Sequence, residues 1–201
     1  EALALGYLRN QFWVNTLTEI KSVQVNWPEE TVKINTYHGL EEWDKKMSER
    51  RAMTGCGQGT IINKINKLHD KLNSLKRDCF FPVTILQSVI YAVLRKLNQH
   101  NEVYRQVGGV HGCALCQNTE ILAFVEDVGR HNATDTIAGL MWLHDWSGAN
   151  KLFYTTGRLT AEVVMKVAHL NISILLSRSS VTAMAIEVAQ QLGVTLFASA
   201  K

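Results

Sequence analysis

Residues 121–132 of the chain read ILAFVEDVGRHN, an apolar run followed at once by a dense polar run. Residues 121–125 have the length and the apolar character of a buried β-strand. Two acids, a turn glycine and an Arg-His-Asn triplet follow, and a helical pattern begins at about Ala133. Polar groups packed this densely between a buried strand and a helix are costly unless they bind each other or a ligand. The junction therefore predicts a functional site.

The same arrangement recurs twice further along the chain. Residues 151–156 form a strand-like run that ends in a Gly-Arg pair, and residues 172–176 form another that ends in a Ser-Arg-Ser-Ser loop. Helical patterns follow the two loops from about Thr160 and about Val181. Such alternation implies right-handed crossovers and a largely parallel sheet. The loops that follow its strands then share one edge, where open α/β sheets bind ligands.

Three arginines should meet at this edge, beside helix N-termini whose free N–H groups favour anions. They are Arg130, Arg158 and Arg178. Hydroxyl groups add further donors; they belong to Thr155, Thr156, Ser177, Ser179 and Ser180. The pattern predicts an anionic ligand that carries phosphates, such as a nucleotide or a dinucleotide. The alternative is that the arginines form structural ion pairs, for example Arg130 with Glu126 or Asp127.

The composition is that of a globular protein, with 201 residues, 46% apolar residues, 19% charged residues and a net charge of +3. This mild charge gives no argument for nucleic acid as a partner, although the segment from Lys45 to Arg77 is basic. No apolar run is long enough to span a membrane, and no signal peptide is visible. Four cysteines are too few for a disulfide framework and favour a reducing compartment, so we expect a cytoplasmic protein.

The first part of the chain is predicted to form a smaller, β-containing domain over residues 1–80. It begins with a helical pattern over residues 1–9, and we expect its true N-terminus to be missing because the chain opens within that pattern. Alternating segments over residues 20–27 and 31–37 predict two half-buried strands of a hairpin.

The second part, residues 81–201, is predicted to be a three-layer α/β domain. A helix is predicted from residue 85 to about His100, and a strand over residues 110–116. That strand turns back into the strand at Ile121, so we expect this pair to be antiparallel.

Cys56 is the strongest candidate for a nucleophile. It lies between Gly55 and Gly57, which leave the sulfur exposed and the backbone open to a partner. Arg50 and Arg51 lie just upstream, and nearby cations stabilise the reactive thiolate. An exposed loop thiolate suits covalent sulfur carriage or redox chemistry, whereas the alternative is an incidental loop thiol.

The segment His111-Gly112-Cys113-Ala114-Leu115-Cys116 contains residue types that bind zinc. On a strand, however, His111 and Cys113 face one side and Cys116 faces the other. The neighbours are apolar, so we expect buried cysteines that act as small hydrophobic residues, and no structural metal.

Five motifs occur in order along the chain: Thr54-Gly55-Cys56-Gly57, Gly108-Gly109-Val110-His111, Glu126 to Asn132, Thr156-Gly157-Arg158 and Ser177-Arg178-Ser179. Together they resemble the formate dehydrogenase accessory protein family (FdhD/NarQ). The resemblance covers essentially the whole chain, from Ala2 to Lys201.

This resemblance implies a sulfur carrier that takes sulfur from a cysteine desulfurase as a persulfide on a loop cysteine. The sulfur then passes to the molybdenum cofactor, a bis(molybdopterin guanine dinucleotide), before its insertion into formate dehydrogenase. A guanine nucleotide would mimic this client. The family fold is similar to cytidine deaminases in the C-terminal domain, with a smaller N-terminal domain, and the proteins form dimers.

The persulfide role carries over to Cys56. The family's cofactor-binding stretch near the C-terminus falls on Ser199, Ala200 and Lys201, after which the family usually continues with a Gly and a basic residue. Together with the residues of the strand edge, the predicted cofactor site comprises Arg130, His131, Gly157, Arg158, Ser177, Arg178, Ser179, Ser199, Ala200 and Lys201.

One departure concerns the loop cysteines, because the family loop usually reads Cys-x-x-Cys and Gly59 occupies the second position here. A lone Cys56 can carry a persulfide but cannot resolve it through a disulfide within that loop. A second hypothesis is therefore a non-enzymatic chaperone that only binds the cofactor. A zinc-dependent deaminase-like hydrolase ranks last, because the chain has no His-x-Glu with a downstream Pro-Cys-x-x-Cys.

Overall fold

The computed structural model describes residues 1–39 and 84–200. Cys56 and Lys201 lie outside the described residues, as do Gly59 and the basic segment. The described helices are α1 Ala2–Asn10, a 3₁₀ helix Leu17–Glu19, α2 Gln87–His100, α3 Glu102–Val107, α4 Arg130–Leu143, α5 Ala161–His169 and α6 Ala183–Leu192. The described strands are β1 Ile20–Asn26, β2 Thr31–Thr36, β3 His111–Gln117, β4 Glu120–Asp127, β5 Lys151–Thr155, β6 Ile174–Ser177 and β7 Thr195–Phe197.

A five-stranded sheet of order β4-β3-β5-β6-β7 forms the centre of the second part of the chain. Strand β3 is antiparallel to both neighbours, while β5, β6 and β7 pair in parallel. Strands β4, β5, β6 and β7 thus run in one direction and end at the same edge. The sheet is mixed because β3, the predicted antiparallel partner of β4, lies between β4 and β5.

Helices cover both faces of this sheet. On one face Cys113, Leu115 and Phe153 pack against α4, α5 and α6. On the other face Ala114, Cys116 and Tyr154 pack against α2. The predicted three-layer α/β fold class is confirmed, and so is the expectation that Cys113 and Cys116 face opposite sides.

Three helices begin two or three residues away from the predicted positions, and the first of them, α2, begins at Gln87 rather than at residue 85. Helix α4 begins at Arg130 rather than near Ala133, since the Asp127 carboxylate accepts hydrogen bonds from Gly129 N and Asn132 Nδ2 and fixes the first turn. Helix α6 begins at Ala183 rather than near Val181, because Val181 pairs with Leu159 in an extended bridge.

Helix α1 packs directly on α4. A Cβ atom added to Gly6 would meet the Asp135 carbonyl, and one added to Gly139 would meet the Ala2 carbonyl, so the two backbones approach closely. Arg9 Nη1 donates to the Ala138 carbonyl at 3.0 Å. The first helix of predicted domain 1–80 therefore lies against predicted domain 81–201, and the division at residue 80 stays a prediction.

The predicted hairpin is confirmed. Strands β1 and β2 pair antiparallel: Asn26 lies opposite Thr31 beside the turn, and Ile20 lies opposite Thr36 at the far end. Glu30 adopts a φ of 51° in the turn, and Trp27 beside it is exposed.

Candidate functional site at the strand edge

The loops that follow β5 and β6 are joined by backbone hydrogen bonds. Arg178 N donates to the Thr155 carbonyl at 3.3 Å, and Leu159 N donates to the Ser180 carbonyl at 2.9 Å. The buried Ser177 hydroxyl donates to the Gly157 carbonyl at 2.7 Å and accepts from Ser179 N at 2.9 Å. The two loops therefore form one surface, as the junction pattern predicts.

The chain after β7 joins the same surface. Ser199 N donates to the Ser179 carbonyl, and Ala200 N donates to the Ser177 carbonyl, both at 2.9 Å. Ser199 is in the left-handed region, with a φ of 54°. Ser199 and Ala200, which were predicted from the family resemblance, thus lie beside Ser177 and Ser179, which were predicted from the strand pattern.

Arg130 lies against Gly157. A Cβ atom at Gly157 would lie 3.2 Å from Arg130 Cβ and 3.3 Å from Arg130 Cδ, so this glycine leaves room for the arginine. Arg130 Nε is enclosed and has no hydrogen-bond partner. An enclosed guanidinium N–H without a partner is costly, so this donor calls for an acceptor that the described residues do not supply.

The acids beside Arg130 have other partners. The Glu126 carboxylate accepts from Val103 N at 2.9 Å and from Tyr104 N at 3.0 Å, and so fixes α3 over the end of β4. Asp127 fixes the start of α4. Within residues 1–39 and 84–200, no ion pair joins Arg130 to either acid, so this alternative interpretation of Arg130 is wrong.

Arg178 and Arg158 differ from Arg130 in their surroundings. Arg178 Nη1 donates to Asn98 Oδ1 at 2.9 Å and thereby connects β6 to α2. The neighbouring Tyr154 hydroxyl is enclosed, and burial raises the pKa of Tyr154 to about 12. Arg158 is exposed between the buried residues Gly157 and Leu159.

Two histidines lie beside Arg130, and burial lowers the pKa of both. The pKa of His131 falls to about 4, although Glu162, with Oε1 3.5 Å from His131 Nδ1, opposes the shift. The pKa of His111 falls because of burial and then because of Arg130. Both rings are therefore neutral near pH 7, and the positive charge of the site comes from its arginines.

Cys113 lies beneath this surface and is fully buried. Its Sγ donates to Thr155 Oγ1 at 3.3 Å and lies 3.8 Å from Thr134 Oγ1. Burial raises the pKa of Cys113 to about 11 and that of Cys116 to about 12. Both thiols are core groups, as predicted. In the part of the chain that the structure describes, no group of three or more His, Cys, Asp or Glu side chains could hold a metal ion.

Sequence reasoning missed several residues of this region, among them Asn98, Thr134, Glu162 and Lys166. Asn98 and Arg178 are 80 positions apart in the sequence, and no local sequence pattern predicts a contact between them. Lys166 carries a signal in hindsight, since it is a charged residue within the apolar stripe of α5.

The fold and the site define an α/β protein with an arginine-bearing edge suited to anions. A family model described as the FdhD/NarQ family matches residues 1–201, and the chain belongs to this family. The predicted family resemblance is confirmed.

Curated relatives carry the name sulfur carrier protein FdhD. The protein from Bacillus licheniformis is 33% identical, over 96% of this chain and 72% of its own length. The protein from Listeria monocytogenes is 30% identical, over 97% of this chain and 74% of its own length.

A solved structure also matches the whole chain. It is that of a protein from Desulfotalea psychrophila assigned as a formate dehydrogenase accessory protein, with a TM-score of 0.72, 26% identity, and coverage of 100% of this chain and 73% of that one. Among the described residues, no helix is long and apolar enough to cross a membrane.

Proposed function

We propose that this chain is a sulfur carrier for the maturation of formate dehydrogenase, and that its strand edge holds the guanine dinucleotide part of the molybdenum cofactor. Membership of the FdhD/NarQ family and the names of the relatives support the sulfur-carrier role. The observation that carries the binding proposal is the enclosed, unpartnered Nε of Arg130 beside Gly157.

The residues of this edge fit a dinucleotide with pyrophosphate groups. Arg130 has an unpartnered N–H, Arg158 is exposed, and the Ser177–Ser179 loop is joined to Ser199 by a backbone hydrogen bond. A guanidinium group binds phosphate oxygens in a geometry that a lysine or a neutral histidine does not reproduce.

Cys56 is the proposed sulfur carrier. Its thiolate attacks the outer, sulfane sulfur of the persulfide on a cysteine desulfurase. A new S–S bond forms on Cys56, the S–S bond of the desulfurase breaks, and the desulfurase cysteine leaves as a thiolate. One thiolate suffices for this step, so Gly59 in place of a second cysteine does not prevent it.

The remaining parts of the proposal follow from the family. The chain acts in the cytoplasm as a homodimer, with a cysteine desulfurase as sulfur donor and formate dehydrogenase as the client enzyme. A cofactor chaperone without sulfur transfer is the competing function, and the Gly59 substitution is the observation in its favour.

Intact mass spectrometry tests the sulfur-carrier role. Wild type, Cys56→Ala and a Cys116→Ala control are incubated with a cysteine desulfurase and free cysteine, with and without reductant. The proposal expects a reductant-sensitive adduct of one sulfur atom on wild type and on Cys116→Ala, and none on Cys56→Ala. A client enzyme that is activated by Cys56→Ala as well as by wild type would instead establish the chaperone.

A further inference from the structure

A buried ion pair joins α4 and α5 beneath the candidate site. Lys166 Nζ lies 2.9 Å from Asp135 Oδ1 and 3.0 Å from Asp135 Oδ2. The two side chains are only 6% and 3% exposed. Because removing two charges from water is costly, apolar residues would fill this space at least as well. The charges therefore call for an explanation other than packing.

Contacts extend from this pair in two directions. On one side Asn10 Nδ2, at the end of α1, donates to Asp135 Oδ1 at 2.7 Å. On the other side Lys166 Nζ lies 3.6 Å from Glu162 Oε1, and the same oxygen lies 3.5 Å from His131 Nδ1. A continuous polar chain thus runs from α1 to the first turn of α4.

This chain of polar contacts ends at His131, the residue next to Arg130. His131 Nδ1 is enclosed and makes no hydrogen bond, while 31% of the side chain is exposed at the strand edge. Burial is the main cause that lowers the pKa of this ring; Glu162 opposes it, whereas Lys166, Arg130 and His111 lower the pKa further. The ring is thus held neutral, and Glu162 Oε1 is the carboxylate oxygen that lies 3.5 Å from its Nδ1.

We propose that Lys166 is a positioning residue of the candidate site: held by Asp135, it fixes Glu162 beside Nδ1 of His131. The single proton of the ring then stays on Nδ1, and Nε2 becomes a hydrogen-bond acceptor. An acceptor at this point suits an N–H or O–H group of a nucleotide, while Arg130 takes phosphate oxygens. Only the binding of a nucleotide by His131 and Arg130 rests on the proposed function; the role of Lys166 does not.

A double variant isolates the role of Lys166. Asp135→Asn/Lys166→Met removes both charges together, so that neither is left buried and unpaired. Lys96→Met is the matched control, because Lys96 Nζ donates to the Thr119 carbonyl at the opposite edge of the sheet. Histidine ring ¹H–¹⁵N spectra report the protonated nitrogen, and His131→Gln assigns the His131 signals.

The proposal expects the Nδ1-protonated form of His131 in wild type and in Lys96→Met, and loss of that preference in the double variant. Isothermal titration with guanosine diphosphate should show affinity reduced by about threefold to tenfold in the double variant. In a His131→Gln background the same two substitutions should have no further effect, because their influence passes through His131.

Two results would overturn the proposal: an unchanged ring form of His131 in the double variant, or the same loss of affinity with and without His131. If the double variant does not fold, Glu162→Ala at an exposed position replaces it; the same change in ring form is expected, because the oxygen beside Nδ1 is removed. If wild type does not bind guanosine diphosphate, the binding part of the proposed function fails, and the ring spectra still decide the role of Lys166.

Discussion

At the scale of single residues, the three arginines of the strand edge have different roles. Arg178 is engaged by Asn98, and its backbone is tied to Thr155. Arg130 keeps an enclosed N–H without a partner, because Glu126 and Asp127 fix helix starts instead of pairing with it. The sequence predicted that these arginines meet at one edge, but it could not show which of them keeps a free donor.

Arg130→Met should weaken the binding of guanosine diphosphate by at least about tenfold, since a hydrogen bond between charged groups is lost. Isothermal titration measures the change. Arg95→Met, at an exposed position of α2, is the control and should bind as wild type does. Equal affinity of wild type and Arg130→Met would remove Arg130 from the site.

Cys113 and Cys116 should resist alkylation in the folded protein. Both are fully buried, and burial raises their pKa values to about 11 and about 12, so little thiolate exists at pH 8. Peptide mapping after iodoacetamide treatment should find both unlabelled in buffer and labelled in denaturant. Rapid labelling in buffer would contradict their assignment to the core.

At the scale of elements, strands β1 to β6 were predictable, whereas β7, the helix starts and the helix docking were not. The period-2 pattern of β1 and β2 and the apolar runs of β4, β5 and β6 are local signals. The start of α4 depends on Asp127, whose carboxylate accepts a hydrogen bond from Gly129 N. This hydrogen bond does not alter the hydrophobic periodicity of the sequence, so the periodicity could not predict it. The docking of α1 depends on Gly139, which is distant in sequence.

Gly6→Ala should destabilise the protein by about 2–4 kcal/mol, because the added methyl group forces α1 away from the Asp135 carbonyl. Urea unfolding measures the free energy. Leu3→Ala, on the exposed side of α1, should have a much smaller effect. Similar losses for the two variants would show that the close approach of α1 and α4 does not limit stability.

At the scale of the whole molecule, the α/β class was predictable but the strand order was not. The sequence indicated the β3–β4 hairpin and three strand-to-helix junctions, which are local features. It could not show that β3 also pairs with β5, since Cys113 and Thr155 meet across a long stretch of chain. The result is a mixed sheet whose four codirectional strands still share one edge.

The stability of the fold should fall as the pH drops from 7 to 5, partly because of His131. Its pKa is about 4 in the folded protein and about 6.5 in the unfolded chain. The unfolded chain therefore gains a proton in this range that the folded protein refuses, and protonation favours unfolding. Burial raises the pKa of Asp135, so the folded protein takes up this proton more readily than the unfolded chain does. Protonation of Asp135 therefore favours the folded state as the pH falls.

His131→Gln should reduce the loss of unfolding free energy between pH 7 and pH 5 by about 1–2 kcal/mol, after allowance for its partial exposure. Urea unfolding at the two pH values measures this. His144→Gln, at an exposed position, is the control for the loss of a histidine side chain. An identical pH dependence in wild type and His131→Gln would contradict a neutral, partly buried imidazole at position 131.

The measurement that tests the binding site most directly is a titration of the ¹⁵N-labelled protein with guanosine diphosphate, followed through backbone amide shifts. The edge that bears Arg130, Gly157, Ser179 and Ser199 should give the largest changes. The opposite edge has a cavity of about 430 Å³ whose lining includes Asn118 and Lys151. Shifts confined to that cavity, with none around Arg130 and Gly157, would contradict the account.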